Sequence, residues 1–592
     1  MNVHPPTRRA FLAGTGGLVT APLAAPIAES LTGAAAEARA AALPARPNFV
    51  LILSDDLGWS EVGCYGQKLI RTPNIDRLAA QGLRFTNAYS GAPLCAPSRA
   101  TLLTGLHSGH ATVRENPEGG QQHSLTSADV TFGSLLKLVG YRTACIGKWG
   151  FGPEVPHQAS HPNARGFGEF FGFIDHQHAH QYWPQYLWHN GTTVTLNRTR
   201  YAPALFLEHA KRFIRRSAAS GEPFLLYYPN TLPHSPSEVP GDAGIYRNRP
   251  WTRANRRHAA QVTLLDTQVG ELVRTLREAG VADSTVLIFT ADNGPHREKG
   301  VDPELFDSNG PLRADKRDVY EGGIRIPMIV WSPSQLGRGR VIDEPVAFWD
   351  MLPTLADLAG VPVPAHLDGR SMRGLLTGGV HEGHDYLFWN RPRKAQALRR
   401  GDWKAVRFHP GIAGAGPRGR FELYNLGSDL GEQHDLAAER PDLVAELNAL
   451  MDASVGPDPR LPYGMHVSGG TTAVAGRPHE VVVHLRNGSG EAWTGLRFRI
   501  QGPSGWRISG GDADASLAPG ESVEVAFVVV PPPRGPFSGR SSAPSPGPSS
   551  GPASGPSSDT APLLATAVFR AGGRRVRFQA RRTLTVRPGQ KV

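Results

Sequence analysis

The sequence predicts an α/β protein in which a mostly parallel sheet is flanked by helices, with a small antiparallel C-terminal subdomain and then a separate all-β sandwich domain. Three observations carry this reading. From Asn48 onward, short apolar runs alternate with amphipathic stretches, the pattern of strands joined through helices. Near Gly456 the composition changes to period-2 stretches separated by Gly/Pro turns. The length of 592 residues exceeds what one compact core holds, so two or more domains are expected.

The first 40 residues stand apart. Thr7-Arg8-Arg9-Ala10-Phe11-Leu12 has the form of a twin-arginine signal and is followed by a Gly/Ala-rich apolar run to about Ala28. Ala38-Arg39-Ala40 offers a small-residue cleavage site. The run is short and broken by Pro22 and Pro26, which argues against a stable membrane anchor. The expectation is a bacterial protein, secreted or periplasmic, that folds before the twin-arginine machinery exports it.

The α/β domain is expected over residues 46–455. Its strands are read at Phe49–Leu53, Thr143–Ile146, Phe224–Tyr228, Val286–Thr290 and Met328–Trp331. Helices are read at Asn74–Gln81, punctuated by Pro73 and Gly82, and at Ser98–Thr104, Thr131–Leu138, Ala254–Ala279 and Met351–Ala359. The antiparallel subdomain, about 385–455, carries strands across Ala397–Tyr424 and ends in a helix at Asp442–Met451. The sandwich spans 466–592, with strands at Glu480–Arg486, Leu496–Ile500 and Ser522–Val529. A Pro/Ser/Gly-rich tract at about 531–562 cannot pack a core and reads as a disordered insertion.

Charge and cysteine usage narrow the function classes. The formal charge of +11 favours anionic partners. Its arginines are scattered, apart from Arg570, Arg574, Arg575, Arg577, Arg581 and Arg582, which alternate with apolar residues as the solvated faces of strands would. No nucleic-acid partner is expected. Three cysteines, Cys64, Cys95 and Cys145, cannot build a disulfide framework in an exported chain of this size, so at least one needs another explanation.

Polar residues gather at the carboxyl ends of the expected strands, where open α/β sheets place their ligands. Phe49–Leu53 runs into Ser54-Asp55-Asp56, and Val286–Thr290 into Ala291-Asp292-Asn293-Gly294. Thr143–Ile146 runs into Gly147-Lys148-Trp149, and Phe224–Tyr228 leads to Pro233-His234. Three carboxylates and an amide oxygen form a hard donor set suited to Ca²⁺ or Mg²⁺ rather than zinc. In Pro93-Leu94-Cys95-Ala96-Pro97-Ser98-Arg99, Pro97 suits the first turn of a helix beginning beside Cys95, whose side chain then faces the positive helix end. Arg99, four residues on, shares that face. A buried inert thiol and a thiolate nucleophile are the plainer readings of Cys95, although a thiolate beside clustered carboxylates is an unusual design.

The run Cys95-x-Pro-Ser-Arg followed by Ala100-x-x-x-Thr104-Gly105 resembles the modification signature of the type I sulfatases, arylsulfatase-like members of the alkaline-phosphatase-like superfamily. The resemblance continues through Ser54-Asp55-Asp56-Leu57-Gly58, Thr72-Pro73-Asn74-Ile75-Asp76, Gly147-Lys148-Trp149 and Asp292-Asn293-Gly294. Further on it includes Lys316, Tyr320-Glu321-Gly322-Gly323-Ile324-Arg325 and Leu423-Tyr424-Asn425-Leu426, and it covers about residues 46–455 with the motifs in order.

It implies a sulfuric ester hydrolase whose nucleophile is formylglycine (3-oxoalanine), made from Cys95 by a formylglycine-generating enzyme. It also implies one Ca²⁺ held by Asp55, Asp56, Asp292 and Asn293 together with residue 95, and Arg99 steadying that residue. Lys148, Lys316 and His234 would contact the sulfate or the leaving oxygen. Where many sulfatases follow Lys-Trp with a histidine, this chain has Gly150. His180, in the segment His176-Gln177-His178-Ala179-His180, is the residue expected to replace it. The expected substrate is a sulfated small molecule or, more specifically, a sulfated carbohydrate, since the sandwich resembles modules attached to bacterial glycosidases. Alternatives are a phosphomonoesterase or phosphonate hydrolase of the same superfamily, and a non-catalytic sulfated-glycan-binding protein.

Overall fold

The computed structural model describes residues 46–587 apart from 118–122, 335, 338, 409–418, 457–463, 512–514 and 534–558. The expected signal peptide and most of the expected Pro/Ser/Gly-rich insertion therefore lie outside the described residues. A ten-stranded sheet organises the α/β part, in the order Arg340–Ile342, Leu83–Phe85, Met328–Trp331, Thr285–Ala291, Asn48–Ser54, Phe224–Pro229, Arg142–Lys148, Glu169–Phe173, Tyr186–His189, Thr192–Thr195. The five strands from Thr285–Ala291 to Glu169–Phe173 are parallel, whereas Met328–Trp331 runs antiparallel to its neighbour. Every residue of Asn48–Ser54, Phe224–Pro229 and Thr285–Ala291 is buried. That double-sided burial is why these strands read as unbroken apolar runs rather than alternating ones.

Register decides where the polar strand ends fall. Ser54 lies opposite Ala291, Leu53 opposite Pro229, and Cys145 opposite Tyr227. Asp55, Asp292, Lys148 and the segment leading to His234 therefore leave the same edge of the sheet. Close backbone approach keeps that edge tight. A Cβ on Gly147 (φ +134°) would stand 2.0 Å from the Pro229 carbonyl oxygen, and one on Gly172 would stand 1.9 Å from that of Gly147. Only glycine fits either position.

Helices cover both faces at Pro73–Gln81, Phe132–Leu138, Arg253–Glu278 and Met351–Leu358, close to the expected bounds. The helix expected at Ser98–Thr104 starts earlier, at Cys95, so the cysteine is its first residue. A 19-residue helix at Ala202–Ser220, absent from the sequence reading, buries Leu205, Phe206, Ala210, Phe213 and Ile214 on one face. The small sheet consists of Leu387–Arg391, Ala395–Arg400, Trp403–Phe408 and Phe421–Asn425, all antiparallel, with the Pro441–Ala453 helix against it.

Beyond it, a four-stranded and a five-stranded sheet form the C-terminal β domain. Its core holds Trp493, Phe569 and Phe578, with the Trp493 and Phe569 rings stacked at 4.3 Å. Asp559–Ala571 pairs with both Trp493–Gln501 and Arg574–Arg587, so the strands on either side of the 534–558 tract belong to the same pair of sheets.

Candidate active site

Six chain segments meet at the carboxyl edge of the sheet. Asp55 and Asp56 follow the central strand and are fully buried; Asp56 takes a left-handed backbone, φ 64°. Its amide donates to Asp292 Oδ1 at 3.0 Å, which ties the two strand ends together. Cys95 opens its helix at 0% exposure, with Sγ 3.7 Å from Asp56 Oδ1. No side chain caps that helix from its own N-cap residue; the Ala96 amide instead donates to Asn116 Oδ1 at 3.0 Å.

Cations from this same helix and from two further segments neutralise the carboxylates. Arg99 donates twice to Asp292 Oδ2 (2.9 and 2.7 Å) and once to the Lys148 carbonyl at 2.8 Å, and its Nη2 lies 3.3 Å from Asp55 Oδ1. Lys148 Nζ reaches Asp55 Oδ2 at 2.7 Å, and Lys316 Nζ reaches Asp56 Oδ2 at 2.6 Å. The Lys316 loop is pinned by its own amide on the Pro295 carbonyl and by that of Arg317 on the Pro93 carbonyl, both at 2.9 Å. His234 Nε2 lies 3.2 Å from Lys316 Nζ and 3.3 Å from Asp56 Oδ2.

Burial and charge divide the three carboxylates. Burial alone would raise all of them. Lys148, His234 and Arg99 nevertheless hold Asp55 well below the usual carboxylate range, and Lys316 holds Asp56 down. Asp292, buried and repelled by Asp55 against the pull of Arg99, is pushed up to about 7. Burial pushes the Cys95 thiol well above its ordinary value, beyond what Lys148 and Lys316 recover. Burial thus disfavours a thiolate at position 95.

The donor set fits a hard divalent cation. Asp55 Oδ1 and Asn293 Oδ1 are buried without a hydrogen-bond partner, and Asn293 turns its NH₂ to Asp56 Oδ1 at 2.7 Å. One ligand atom each from Asp55, Asp56, Cys95 and His234 lies within 4.8 Å of the others. Three buried carboxylates and one amide oxygen, with Asp55 Oδ1 and Asn293 Oδ1 left without hydrogen bonds, are the donor types that suit Ca²⁺ or Mg²⁺. All the residues expected for the metal and for sulfate contact thus converge.

Two further histidines, His176 and His180, extend the cluster. The His180 ring stacks on His234 at 4.1 Å and meets His176 edge-on at 5.2 Å. Burial, aided by Lys148, lowers both, His180 to about 4. The space beside Gly150 is taken by His176, whose Nδ1 is unpaired and 4.0 Å from where a Cβ at position 150 would stand. His178 points elsewhere, with Nδ1 2.7 Å from Glu154 Oε1. Sequence reasoning also passed over Glu298, whose Oε1 is 3.4 Å from Lys316 Nζ. The only signal for it was its place six residues after Asp292.

With this geometry in view, comparison with known proteins is decisive. The sulfatase family profile matches residues 47–361. The chain belongs to the sulfatase family. A second profile, described as N-sulphoglucosamine sulphohydrolase, C-terminal, matches residues 313–454, and the NPCBM-associated NEW3 domain of alpha-galactosidase matches residues 473–538. Human arylsulfatase A is 32% identical over 477 residues, covering 71% of this chain and 89% of its own. Mouse steryl-sulfatase is 30% identical over 544 residues, covering 74% and 86%. Among solved structures, Ps i-CgsB in complex with k-i-k-neocarrahexaose shares 30% identity with a TM-score of 0.61, covering 70% of this chain and 94% of its own. This sulfatase is accordingly a sulfuric ester hydrolase, with a NEW3-type β domain attached.

Proposed function

We propose that this sulfatase cleaves sulfate monoesters of a sulfated glycan, using formylglycine made from Cys95 and a calcium ion held by Asp55, Asp56, Asp292 and Asn293. The observation that carries the reading is the position of Cys95: first residue of a buried helix, 3.7 Å from Asp56 and within the field of the two lysines. The glycan assignment is supported by the oligosaccharide bound to Ps i-CgsB and by the NEW3-type domain.

A sulfate ester presents three anionic oxygens that shield the sulfur, so charge must be neutralised before attack. Lys148 and Lys316 bring two ammonium groups to the pocket, and Arg99 fixes Asp292 and the Lys148 backbone so that neither moves. A calcium ion held by Asp55, Asp56, Asp292 and Asn293 would supply further positive charge against the sulfate oxygens and favour ionisation of the nucleophile. The hydrated aldehyde at position 95 supplies two hydroxyls, one to attack sulfur and one through which sulfate can be expelled without water attacking sulfur. Asp292, close enough to residue 95 for their charges to interact, is the carboxylate placed to take the nucleophile's proton. His234 donates Nδ1–H to the Ser235 carbonyl and turns Nε2 toward Lys316, so the leaving oxygen can take its proton from this pair. His176 and His180 wall the pocket where Gly150 leaves it open.

Mass spectrometry of the tryptic peptide Phe85–Arg99 from protein matured in its native host tests the nucleophile. Residue 95 should lack sulfur, resist alkylation and react with an aldehyde probe; an intact, alkylatable Cys95 in folded exported protein would sink the reading. Hydrolysis of nitrophenyl phosphate faster than nitrophenyl sulfate would favour a phosphoryl-group hydrolase instead. The same proposal puts this activity outside the cytoplasm, reached through the twin-arginine machinery, a reading supported by the Thr7-Arg8-Arg9 pattern.

A further inference from the structure

The arginines that the sequence reading left as solvated strand faces line a groove. At the start of the Arg142–Lys148 strand, a cleft of about 640 Å³ separates the α/β part from the β domain and continues into a second of about 370 Å³, the two sharing Gly140, Glu222 and Gln579. Along the last strand, Val576 and Phe578 turn into the β-domain core. Arg575, Arg577, Gln579 and Arg581 take the alternate positions and face outward into the groove. The opposite wall presents Arg46, Lys137 and Arg142.

The charge is one-sided. Arg142 pairs with Glu222 at 3.4 Å, and Glu169, also in the cleft, is taken by Arg216 at 2.6 Å. Among the described residues, Arg575, Arg577, Arg581 and Lys137 have no ion-pair partner. Lys137 and Arg581 repel each other across the cleft, which together with burial lowers the lysine. The basic face continues over the sheet. Arg570 lies directly opposite Arg575, and Arg497 is in register with Val568, which itself pairs with Arg577. Cations crowded without counter-charges in a concave groove form a site for a polyanion. Because Lys148 lies six residues along the strand from Arg142, the groove is roughly 20 Å from the active site at about 3.3 Å per residue.

We propose that this groove is a second glycan-binding site, in which Arg575, Arg577 and Arg581 of the β domain, with Lys137, hold the sulfate groups of a sulfated polysaccharide away from the catalytic pocket. The inference rests on the reading of the substrate as a sulfated glycan. The occupant follows from charge: sulfate esters keep their negative charge at all working pH values, repeat along the chain, and are the groups the catalytic pocket also accepts. Anchoring one stretch of polymer here raises the effective concentration of its other esters at the active site.

The test is binding of a sulfated galactan oligosaccharide to the full-length protein, by calorimetry at two salt concentrations. The same oligosaccharide after chemical desulfation and a short DNA duplex serve as comparisons. Wild type should bind the sulfated form, more weakly at high salt, and bind the desulfated form not at all. Arg577→Glu/Arg581→Glu should weaken binding about tenfold or more, since two attractions become repulsions. Arg71→Glu/Arg77→Glu, an equal charge change on the Pro73–Gln81 side, should not. Unchanged binding by the groove variant, with its melting temperature intact, would overturn the inference, as would tighter binding of the DNA. A milder Arg577→Gln/Arg581→Gln pair tests the same point should the reversal fail to fold. Hydrolysis is read separately: galactan bound through the groove but never desulfated leaves this site standing and removes the substrate reading.

Discussion

Glu432→Gln should gain stability relative to the wild type as the pH is raised from 4 to 8. Lys404, on the Trp403–Phe408 strand, is fully buried and lies 2.9 Å from both Glu321 Oε1 and Glu432 Oε1. One ammonium thus serves two carboxylates. Glu321 also accepts from the Tyr89 hydroxyl and pairs with Arg325, and despite burial Lys404, Arg325 and Arg399 hold it down at about 2. Glu432, buried and repelled by Glu321, is pushed from the ordinary 4.5 up to about 7.

The sign follows from proton counting. Between pH 4.5 and about 7 the unfolded chain has released this proton while the folded protein still holds it, so stability falls as pH rises and levels off above about 7. At about 1.4 kcal/mol per pH unit the loss reaches about 3 kcal/mol. A glutamine side chain at this position would keep the shape and an oxygen for the Glu321 amide, which now donates to Glu432 at 2.7 Å; its NH₂ would face Lys404, a cost that does not vary with pH and so shifts the difference without changing its slope. The variant-minus-wild-type stability, from guanidinium unfolding at constant ionic strength between pH 4 and 8.5, should therefore climb by about 2–3 kcal/mol, most steeply near pH 6. A difference that stays flat across that range, or falls, refutes the reasoning.

Other outcomes follow from the site. Arg99→Met strips the guanidinium from Asp292 and Asp55, both fully buried, and should cost about 3–5 kcal/mol with loss of sulfate ester hydrolysis; a wild-type melting temperature would contradict this. Gly147→Ala and Gly150→Ala should differ sharply in soluble yield. The first meets a carbonyl oxygen at 2.0 Å and should not fold, whereas the second finds nothing nearer than 3.8 Å and loses only about 1–2 kcal/mol to its positive φ. Chelation should lower the melting temperature, and added calcium should restore it by about 4 kcal/mol of stability at a thousandfold excess over Kd. Identical melting curves with and without chelator would remove the metal from the account. Cys95→Ser, with one hydroxyl where the aldehyde hydrate has two, should hydrolyse no more than one ester per site; steady turnover at the wild-type rate would exclude the formylglycine route.

What was legible in the sequence was local. The central strands are buried on both faces, so their apolar runs were continuous and their ends abrupt, and each end carried its polar residues in plain order. What escaped depended on segments meeting. Whether His176 or His180 fills the room beside Gly150 turns on a loop entering from beyond the Glu169–Phe173 strand, and the structure puts His176 there, with His180 stacked on His234. Lys404 and Glu432 carry no chemical signature of their own; they gain meaning only where the small sheet meets the Glu321 turn. The arginines of the last strand alternate with apolar residues like any solvated face, and no periodicity could show that a second wall of cations stands opposite.

The clarity of the active-site motifs has a physical origin in the same charges. Asp55, Asp56 and Asp292 arrive on two strands; Arg99, Lys148 and Lys316 come from a helix, a third strand and a loop; all six are at most 4% exposed. None of these ions could stay charged alone at that depth. Each segment is therefore held to the others by a charge it cannot satisfy itself: the helix through Arg99 to Asp292, the Lys148 strand to Asp55, the loop through Lys316 to Asp56. Changing one residue strands its partner as a buried, unpaired ion, so the chemistry of the pocket and the packing of the sheet edge constrain the same positions. A double-mutant cycle separates the two roles. Lys148→Met alone leaves Asp55 short of a charge and should destabilise strongly, whereas Lys148→Met with Asp55→Asn should recover most of the stability and none of the hydrolysis. Recovery of neither would mean that Lys148 holds the edge by something other than its charge.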